Sequence, residues 1–225
     1  MARFGVGRAL PNGTPVRSLL ALAVPAAPFL IAAAVGSAQP AAADAEVQPC
    51  GKERWAVKTL TDGSDAAKVD LTHPETMITV EDLRRLSRPK SWGIKSPRLS
   101  PVETTTYRVK ALLMSMTRED DSDIHLVIAD PRIGGSMIAE FPAEACTAGA
   151  SSEGRLLMKQ ARDAIATACD GEPPKNKFVT LTGQATIAGV GFFDPVHRQG
   201  GVAPYGIELH PVVAFESSTC KRMKP

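Results

Sequence analysis

Aromatic residues are scarce in this chain, at 5% of its 225 residues. Proteins that bind single-stranded nucleic acid stack the bases on exposed aromatic side chains inside a basic groove. A dominant charge is lacking too, because 26 lysines and arginines face 24 acids. The near balance excludes a general electrostatic attraction to nucleic acid or to an anionic membrane. We therefore do not expect a nucleic-acid partner.

Several catalytic motifs are missing from the sequence. It contains no Gly-x-Ser-x-Gly nucleophile elbow, no Gly-x-x-x-x-Gly-Lys phosphate loop and no Cys-x-x-Cys pair. Their absence removes the usual signatures of serine hydrolases, nucleotide-binding loops and zinc ribbons. No residue is identified as a nucleophile by its sequence context.

The first 43 residues differ in composition from the rest, since they contain Arg3, Arg8 and Arg17 and no acid. An uncharged stretch, Leu19–Val35, follows the arginines and leads into small residues, which is the layout of a secretory signal peptide. Cleavage fits after Ala38, Ala43 or Ala45. We predict a signal peptide over 1–43, a secreted or periplasmic location and no stable membrane span after cleavage. A retained membrane anchor is the alternative.

All four cysteines follow this leader. An oxidising compartment allows thiols to pair, so we expect two disulfides. Cys146 and Cys169 bracket one predicted helix, while Cys50 and Cys220 lie near the two ends of the exported chain. The pairing we favour is therefore 146–169 with 50–220, the alternative being that some thiols stay free.

From residue 104 onward the periodicity predicts five strands and one helix. The helix, over 152–168, has apolar residues three or four positions apart, a serine at its start and Gly171 beyond its end. The predicted strands are Thr105–Met116, Asp123–Ala129, Ser136–Phe141, Phe178–Phe193 and Gly206–Phe215. Three strands, a helix and two strands is the order of the OB-fold, a five-stranded Greek-key barrel. An open five-stranded α+β sheet has the same order.

We accordingly predict a mainly β (α+β) protein with an OB-like barrel over residues 102–216. An N-terminal extension over 44–101 precedes the barrel and a C-terminal tail over 217–225 follows it. Within the extension, Arg54–Leu60 has the pattern of a short strand, and Thr79 caps a brief helix near Val80–Ser87.

Two stretches near the end of the chain carry a resemblance. They read Phe-Phe-Asp-Pro-Val-His-Arg-Gln-Gly-Gly over 192–201 and Gly-Ile-Glu-Leu-His-Pro-Val over 206–212. In these residues the chain resembles a group of secreted bacterial proteins with an OB-fold-like domain, and the similarity spans residues 55–215. The resemblance implies export and this domain, but no activity.

The two loops that flank the ligand groove of an OB-fold are the most polar in this domain. The first loop contains Glu119, Asp120, Asp121 and Asp123, and the second contains Asp194, His197, Arg198 and Tyr205. Converging carboxylates with an imidazole suit a divalent cation. An acidic turn can equally be a solvated turn whose backbone favours Asp.

Strand residues supply further candidates. Glu208 and His210 lie two apart on the last strand and so point to one face, and His125 is expected on the outer, solvent-facing side of its own strand. Glu140 could join Glu208 and His210 if the barrel forms. The structural alternative is a hydrogen-bond network with Arg108, Arg162 or a loop amide.

These observations favour an exported OB-like binding or accessory module for a small ligand or an envelope protein. The candidate ligand-binding residues are Asp121, Asp123, His125, Asp194, His197, Arg198, Glu208 and His210, and the metal candidates among them are Asp121, His197, Glu208 and His210. No cofactor is established, although a divalent cation fits these side chains. The alternatives are a divalent-metal-dependent hydrolase, of phosphodiesters or similar substrates, and a structural envelope protein without a small ligand.

Overall fold

The computed structural model describes residues 50–71, 75–196 and 199–224 of the chain. The predicted signal peptide and its cleavage positions lie outside the described residues, as do His197 and Arg198. None of the helices in the described ranges is both long enough and apolar enough to span a membrane.

The described residues form three α-helices and eight strands. The helices are α1 (Trp55–Lys58), α2 (Val80–Arg84) and α3 (Ser152–Ala168). The strands are β1 (Thr76–Met77), β2 (Thr106–Arg118), β3 (Ile124–Asp130), β4 (Gly134–Phe141), β5 (Val179–Thr182), β6 (Gln184–Phe193), β7 (Ile207–Glu216) and β8 (Lys221–Arg222).

Five strands close into a barrel in the order β2-β3-β4-β7-β6, with β6 pairing back onto β2. Every pair in this ring is antiparallel except β4–β7, which is parallel. The helix α3 connects the third barrel strand, β4, to the fourth, β6. This is the OB-fold topology, and the prediction of a mainly β, five-stranded barrel with one helix between strands three and four is confirmed.

The barrel interior is filled by one face of each strand. Ile124, Leu126 and Ile128 of β3 belong to the main hydrophobic core, and the register sets Leu126 opposite Ala139 of β4. The alternate residues of β3 point outward because successive side chains in a strand alternate between faces. The prediction that this outer face is wet is wrong, since every residue of β3 is buried.

The helix α3 has the predicted bounds. The Ser151 hydroxyl caps its first turn by accepting a hydrogen bond from the Gly154 amide at 3.0 Å. Its buried residues are spaced three or four apart: Gly154, Met158, Ala161 and Ile165. Ala161 and Ile165 belong to the main core, and Met158 packs with Ala188 of β6 and Val213 of β7.

All four cysteines form disulfides, as expected, but the favoured pairing is wrong. Cys50 is bonded to Cys146, and Cys169 to Cys220. Cys146 lies before α3 and Cys169 directly after it, and a 17-residue helix is about 25 Å long. Disulfide-bonded cysteines have Cα atoms within about 7 Å of each other, so the two ends of α3 cannot be joined.

Two element predictions are also corrected. The predicted strand at Arg54–Leu60 contains the short helix α1, because a short apolar run does not distinguish strand from helix. The predicted strand Phe178–Phe193 is divided into β5 and β6 at Gly183. That glycine has a φ of 107°, and a Cβ there would lie 2.2 Å from the Thr219 carbonyl oxygen.

Candidate metal centre

A buried polar cluster lies on the outer face of three neighbouring barrel strands. His125 of β3 is directly opposite Glu140 of β4. Glu208 of β7 is opposite Ile138, two residues before Glu140, and His210 follows two residues later on β7. Since residues two apart share a face, these four side chains lie on the same surface of the sheet.

This surface is covered by chain segments outside the barrel. The segment that follows Cys50 is fixed near the end of β4 by the disulfide to Cys146. The loop between β6 and β7 folds over β3, where a Cβ on Gly201 would come within 2.7 Å of Val127. The face of the second and third strands, which OB-folds use for ligands, is therefore enclosed here.

His125 is fully buried between this loop and two carboxylates. Its Nε2 lies 3.0 Å from the carbonyl oxygen of Gly200 and donates to it, because a carbonyl can only accept. Its Nδ1 lies 3.0 Å from Glu119 Oε1 and 3.2 Å from Glu140 Oε1. The rings of His125 and Phe178 also pack nearly perpendicular to each other, with centroids 5.6 Å apart.

His210 is fully buried between Glu140 and a further carboxylate, Asp123. Its Nδ1 lies 2.8 Å from Glu140 Oε2, and its Nε2 lies 3.4 Å from Asp123 Oδ2. Asp123 is fixed by its other oxygen, Oδ1, which accepts a hydrogen bond from the Ala143 amide at 2.9 Å. Phe192 contacts the imidazole ring at a centroid distance of 5.6 Å.

The short nitrogen–oxygen distances in this cluster are ion-pair contacts between imidazoles and carboxylates. His125 Nδ1, both ring nitrogens of His210, Asp123 Oδ2 and Glu208 Oε2 are buried without a hydrogen-bond partner among the described residues. The ring nitrogens lie within ion-pair distance of carboxylate oxygens. Buried polar atoms are normally satisfied, so a group of this kind requires a physical explanation.

The carboxylates raise the pKa of both histidines. Burial alone would lower the pKa of His125, but Glu119 and Glu140 outweigh it and raise the value to about 10. Burial likewise opposes protonation of His210, and Glu140 and Asp123 raise its pKa to about 9. The site therefore attracts positive charge at both imidazoles.

The acids respond to the same crowding. Burial, reinforced by Glu140 and Asp194, raises the pKa of Glu208 well above its ordinary value. Burial and then the neighbouring Asp123 raise the pKa of Asp121 to about 6. Glu140 behaves in the opposite way: burial favours its neutral form, but the charges of His210 and Lys58 hold its pKa well below the ordinary range.

Lys58 of α1 brings an ammonium group to the other side of the cluster. Its Nζ lies 3.2 Å from Asp194 Oδ1, and its side chain is 12% exposed. Burial would lower the pKa of Lys58, but Glu140 and Asp194 raise it above the ordinary value. Six carboxylates interact in this region with one lysine and two histidines: Glu119, Asp121, Asp123, Glu140, Asp194 and Glu208.

An acidic cleft of about 550 Å³ leads toward His125 from the surface. Glu119 lines this cleft, is 28% exposed at its side chain and touches His125 Nδ1. The other lining residues are Cys50, Gly51, Lys52, Thr117, Asp120, Asp121, Asn176 and Phe178. A larger groove of about 1300 Å³ lies between α3 and the strands β6 and β7, but it contains no histidine.

Two sets of three side chains have donor atoms that lie within 4.8 Å of one another among the described residues. The first set is Glu119, His125 and Glu140, and the second is Asp123, Glu140 and His210. The imidazole nitrogens and carboxylate oxygens in these sets are common ligands of divalent transition metals.

Six of the eight sequence-predicted ligand-binding residues interact in this region: Asp121, Asp123, His125, Asp194, Glu208 and His210. The expectation that His125 faces solvent is wrong, because the loop between β6 and β7 covers it. Glu140 contacts both His125 and His210. Arg162, the alternative partner for these acids, forms its ion pair with Glu172. His197 and Arg198 lie outside the described residues.

The sequence reasoning missed Lys58 and did not select Glu119. Lys58 lies in the segment for which the sequence predicts a strand. Its ion pair with Asp194 joins residues 136 positions apart, which no local pattern indicates. Glu119 stood in the acidic turn with three other acids, and nothing in the order of these residues shows which one faces His125.

Comparisons with known proteins give little further guidance. No family model matches the chain, and no curated protein matches it. A putative aspartyl-tRNA synthetase from Leishmania major Friedlin is a solved structure with some similarity, at 15% identity and a TM-score of 0.31. The match covers 67% of this chain and 22% of that chain.

Proposed function

We propose that this protein is an exported binding module whose ligand is a divalent transition-metal cation held by Glu119, His125 and Glu140. Export is supported by the signal-peptide pattern of residues 1–43 and by the two disulfides, which persist in oxidising compartments. The observation that carries the metal assignment is the unsatisfied Nδ1 of His125, which faces two carboxylate oxygens.

The hydrogen bond to Gly200 fixes the tautomer of His125. Because Nε2 donates to that carbonyl, a neutral ring has its lone pair on Nδ1. A lone pair aimed at two carboxylates is repulsive unless a proton or a cation lies between them. His125 Nδ1 has no hydrogen-bond partner among the described residues, and a cation shared by all three ligands would satisfy it together with both carboxylates.

The surroundings of His125 match those of metal-ligating histidines. Such residues almost always donate their second ring N–H to a carboxylate, a backbone carbonyl or a water, which orients the ring. Here the Gly200 carbonyl takes that role. Calcium uses oxygen ligands, so the imidazole nitrogen directs the site toward zinc, manganese and related cations.

The acidic cleft supplies a route by which a cation can reach the buried ligands. Glu119 connects the cleft to the buried ligands, since it lines the cleft and contacts His125 Nδ1. Carboxylates at the entrance raise the local concentration of cations. The enclosed strand face leaves less room for a large substrate, which favours binding of the cation over the hydrolase alternative.

Metal content is the direct test. Purified protein without its leader is loaded with zinc, dialysed and measured by inductively coupled plasma mass spectrometry, and zinc affinity is determined by calorimetric titration. We expect stoichiometric zinc in the wild type and at least a tenfold loss of affinity in His125→Gln. Asp163→Asn removes an exposed carboxylate of α3 and is the matched control, expected to bind as the wild type does.

Two results would contradict the proposal. One is a wild-type protein that retains neither zinc nor manganese after dialysis. The free metal concentration in that dialysis is kept far below the level at which weak surface sites bind metal. The other is a His125→Gln variant that folds, by circular dichroism, and binds zinc as tightly as Asp163→Asn. If the zinc-loaded wild type cleaves a phosphodiester in a metal-dependent way, the protein is a hydrolase and the binding role is wrong.

A further inference from the structure

Glu140 presents one carboxylate oxygen to each histidine. Its Oε1 lies 3.2 Å from His125 Nδ1, and its Oε2 lies 2.8 Å from His210 Nδ1. The two sets of potential ligands therefore share this single side chain but use different oxygens of it. A carboxylate in this position is suited to bridge two cations.

The second set has the features that support the first. Asp123, Glu140 and His210 are all buried, and their donor atoms lie within 4.8 Å of one another. Asp123 is fixed by the Ala143 amide on one oxygen, and its Oδ2 lies 3.4 Å from His210 Nε2, while Glu140 Oε2 lies beside the other ring nitrogen, Nδ1. A cation coordinates one of these two nitrogens, and each carboxylate offers an oxygen within 4.8 Å of the nitrogen that takes part. The set is thus held in place by groups that do not compete for its ligand atoms.

The orphaned atoms are more numerous on this side. Both nitrogens of His210, Asp123 Oδ2 and Glu208 Oε2 are buried and have no hydrogen-bond partner among the described residues. Unpaired buried polar atoms destabilise the folded state, and more so when they are charged. A ligand that accepts electron pairs from several of them removes that destabilisation.

The charge balance also leaves room for a second cation. Among the described residues, six carboxylates surround the two histidines, and Lys58 forms an ion pair with one of them, Asp194. Glu208, whose pKa is raised well above its ordinary value, contributes little of this negative charge. One divalent cation at His125 and the ammonium of Lys58 offset part of the rest, and a second cation would replace the proton that the carboxylates hold on His210. Buried charges are retained when they are paired or when they coordinate a metal.

We infer that Asp123, His210 and the second oxygen of Glu140 hold a second divalent cation, which makes the cluster a two-metal centre bridged by Glu140. This inference rests on the proposed function, because the first cation occupies the His125 side of the same carboxylate. Carboxylate-bridged metal pairs are a recurring arrangement in proteins that bind or transform oxyanions.

Metal stoichiometry separates the inference from the proposed function. Native mass spectrometry of the wild-type chain in zinc is expected to give two metals per chain. His210→Gln and His125→Gln are each expected to retain one. Glu140→Gln keeps a single acceptor oxygen and is expected to retain at most one, while the control Asp163→Asn keeps two.

The outcomes of this experiment are distinct. A wild type that saturates at one zinc, together with a His210→Gln variant that still binds that zinc with unchanged affinity, overturns the second site and leaves the proposed function standing. A wild type that binds none overturns both. Two zinc ions that both remain in His210→Gln also overturn the inference.

A spectroscopic measurement on the wild type covers the case in which a buried variant does not fold. Two manganese ions bridged by one carboxylate are spin-coupled, so we expect an electron paramagnetic resonance spectrum that broadens between one and two equivalents of manganese. A six-line spectrum of isolated ions whose intensity simply doubles would overturn the bridged pair.

Discussion

Two buried ionic clusters in this molecule differ in how completely their atoms are satisfied. Arg54 and Glu103 form a paired contact in which two nitrogens face two oxygens at 2.6 Å each. The remaining guanidinium donors bond to the carbonyl oxygens of Ser96, Pro97 and Phe193. Glu103 also accepts hydrogen bonds from the backbone amides of Leu99 and Phe193.

The cluster around Glu140 has the opposite character. Its carboxylates outnumber its basic groups, and both histidines have ring nitrogens without hydrogen-bond partners among the described residues. The central side chains of this cluster, Glu140, His125 and His210, are buried nearly as completely as Arg54 and Glu103, so burial of these groups does not account for the difference. A closed one-to-one pair has no unsatisfied atom to offer a ligand, whereas the cluster around Glu140 has several among the described residues.

This contrast indicates separate roles for the two clusters. The Arg54–Glu103 pair joins the N-terminal extension to the end of β6, because both residues bond to the backbone of Phe193. It fixes the segment that carries Lys58 and covers the barrel face. The Glu140 cluster then lies under a cover that does not depend on the metal for its attachment.

The largest effect is expected from breaking the closed pair. Glu103→Gln leaves the buried charge of Arg54 without its partner, and such changes cost about 3–5 kcal/mol. Urea unfolding followed by circular dichroism in the presence of a chelator measures the loss. Glu144→Gln, which alters an exposed acid, is the control. A loss below about 1 kcal/mol would mean that the closed pair does not hold the extension in place.

The Glu140 cluster should add to the free energy of unfolding only when a metal ion is bound. Zinc at 100 times its dissociation constant is expected to raise the free energy of unfolding of the wild type by about 2.7 kcal/mol. A chelator reverses the gain. His125→Gln, measured at the same zinc concentration, should show no comparable gain. Equal stabilisation of both proteins would contradict the difference between the two clusters, because zinc would then act elsewhere.

Replacing Lys58 removes a positive charge from the Glu140 cluster and so leaves more of its carboxylate charge unpaired. Lys58→Met keeps the apolar stem but removes the ammonium group beside Asp194. In chelator we expect a loss of about 1–3 kcal/mol in the free energy of unfolding, since the carboxylates lose their internal cation. Zinc affinity should rise for the same reason.

Calorimetric titration of Lys58→Met against Lys95→Met tests this expectation. Lys95 is exposed, so its replacement changes the net charge equally without touching the cluster. The affinity gain should be confined to Lys58→Met. An unchanged or weaker affinity would show that Lys58 supports the ligand geometry and does not compete with the cation.

The fold was predictable because its signals are local. The helix α3 follows from apolar spacing and a serine cap within 17 residues, and the barrel strands follow from alternation within each strand. The disulfide pairing was within reach of the same reasoning. A helix of the predicted length separates Cys146 from Cys169, and that length alone excludes their pairing.

The cover of the site was not predictable in this way. It depends on contacts between distant parts of the chain, such as His125 with Gly200 and Lys58 with Asp194. Alternation on β3 and β7 shows that His125 and Glu208 avoid the barrel interior. It does not show whether water or another segment of the protein meets them on the other side, which decides between a surface and a buried centre.

The smallest effect is expected from a third type of pair, which is only partly buried. Glu75 bonds to Arg108 at 2.8 Å, and the two side chains are 25% and 23% exposed. Exposed ion pairs contribute about 0–1 kcal/mol, so Glu75→Gln should lower the free energy of unfolding by less than about 1 kcal/mol at pH 7. Urea unfolding at several pH values measures the change.

The sign of the pH dependence distinguishes this pair from a neutral contact. The hydrogen bond to Arg108 lowers the pKa of Glu75 below its ordinary value of 4.5, so the stabilisation is present above that pH and disappears as the pH falls through the lowered pKa. The stabilities of the wild type and Glu75→Gln should therefore converge in acid. A difference in the free energy of unfolding that stays constant down to strongly acidic pH would show that Glu75 contributes packing and not the charge of its carboxylate. A loss of stability as large as that of Glu103→Gln would remove the distinction between fully buried ion pairs and exposed ones.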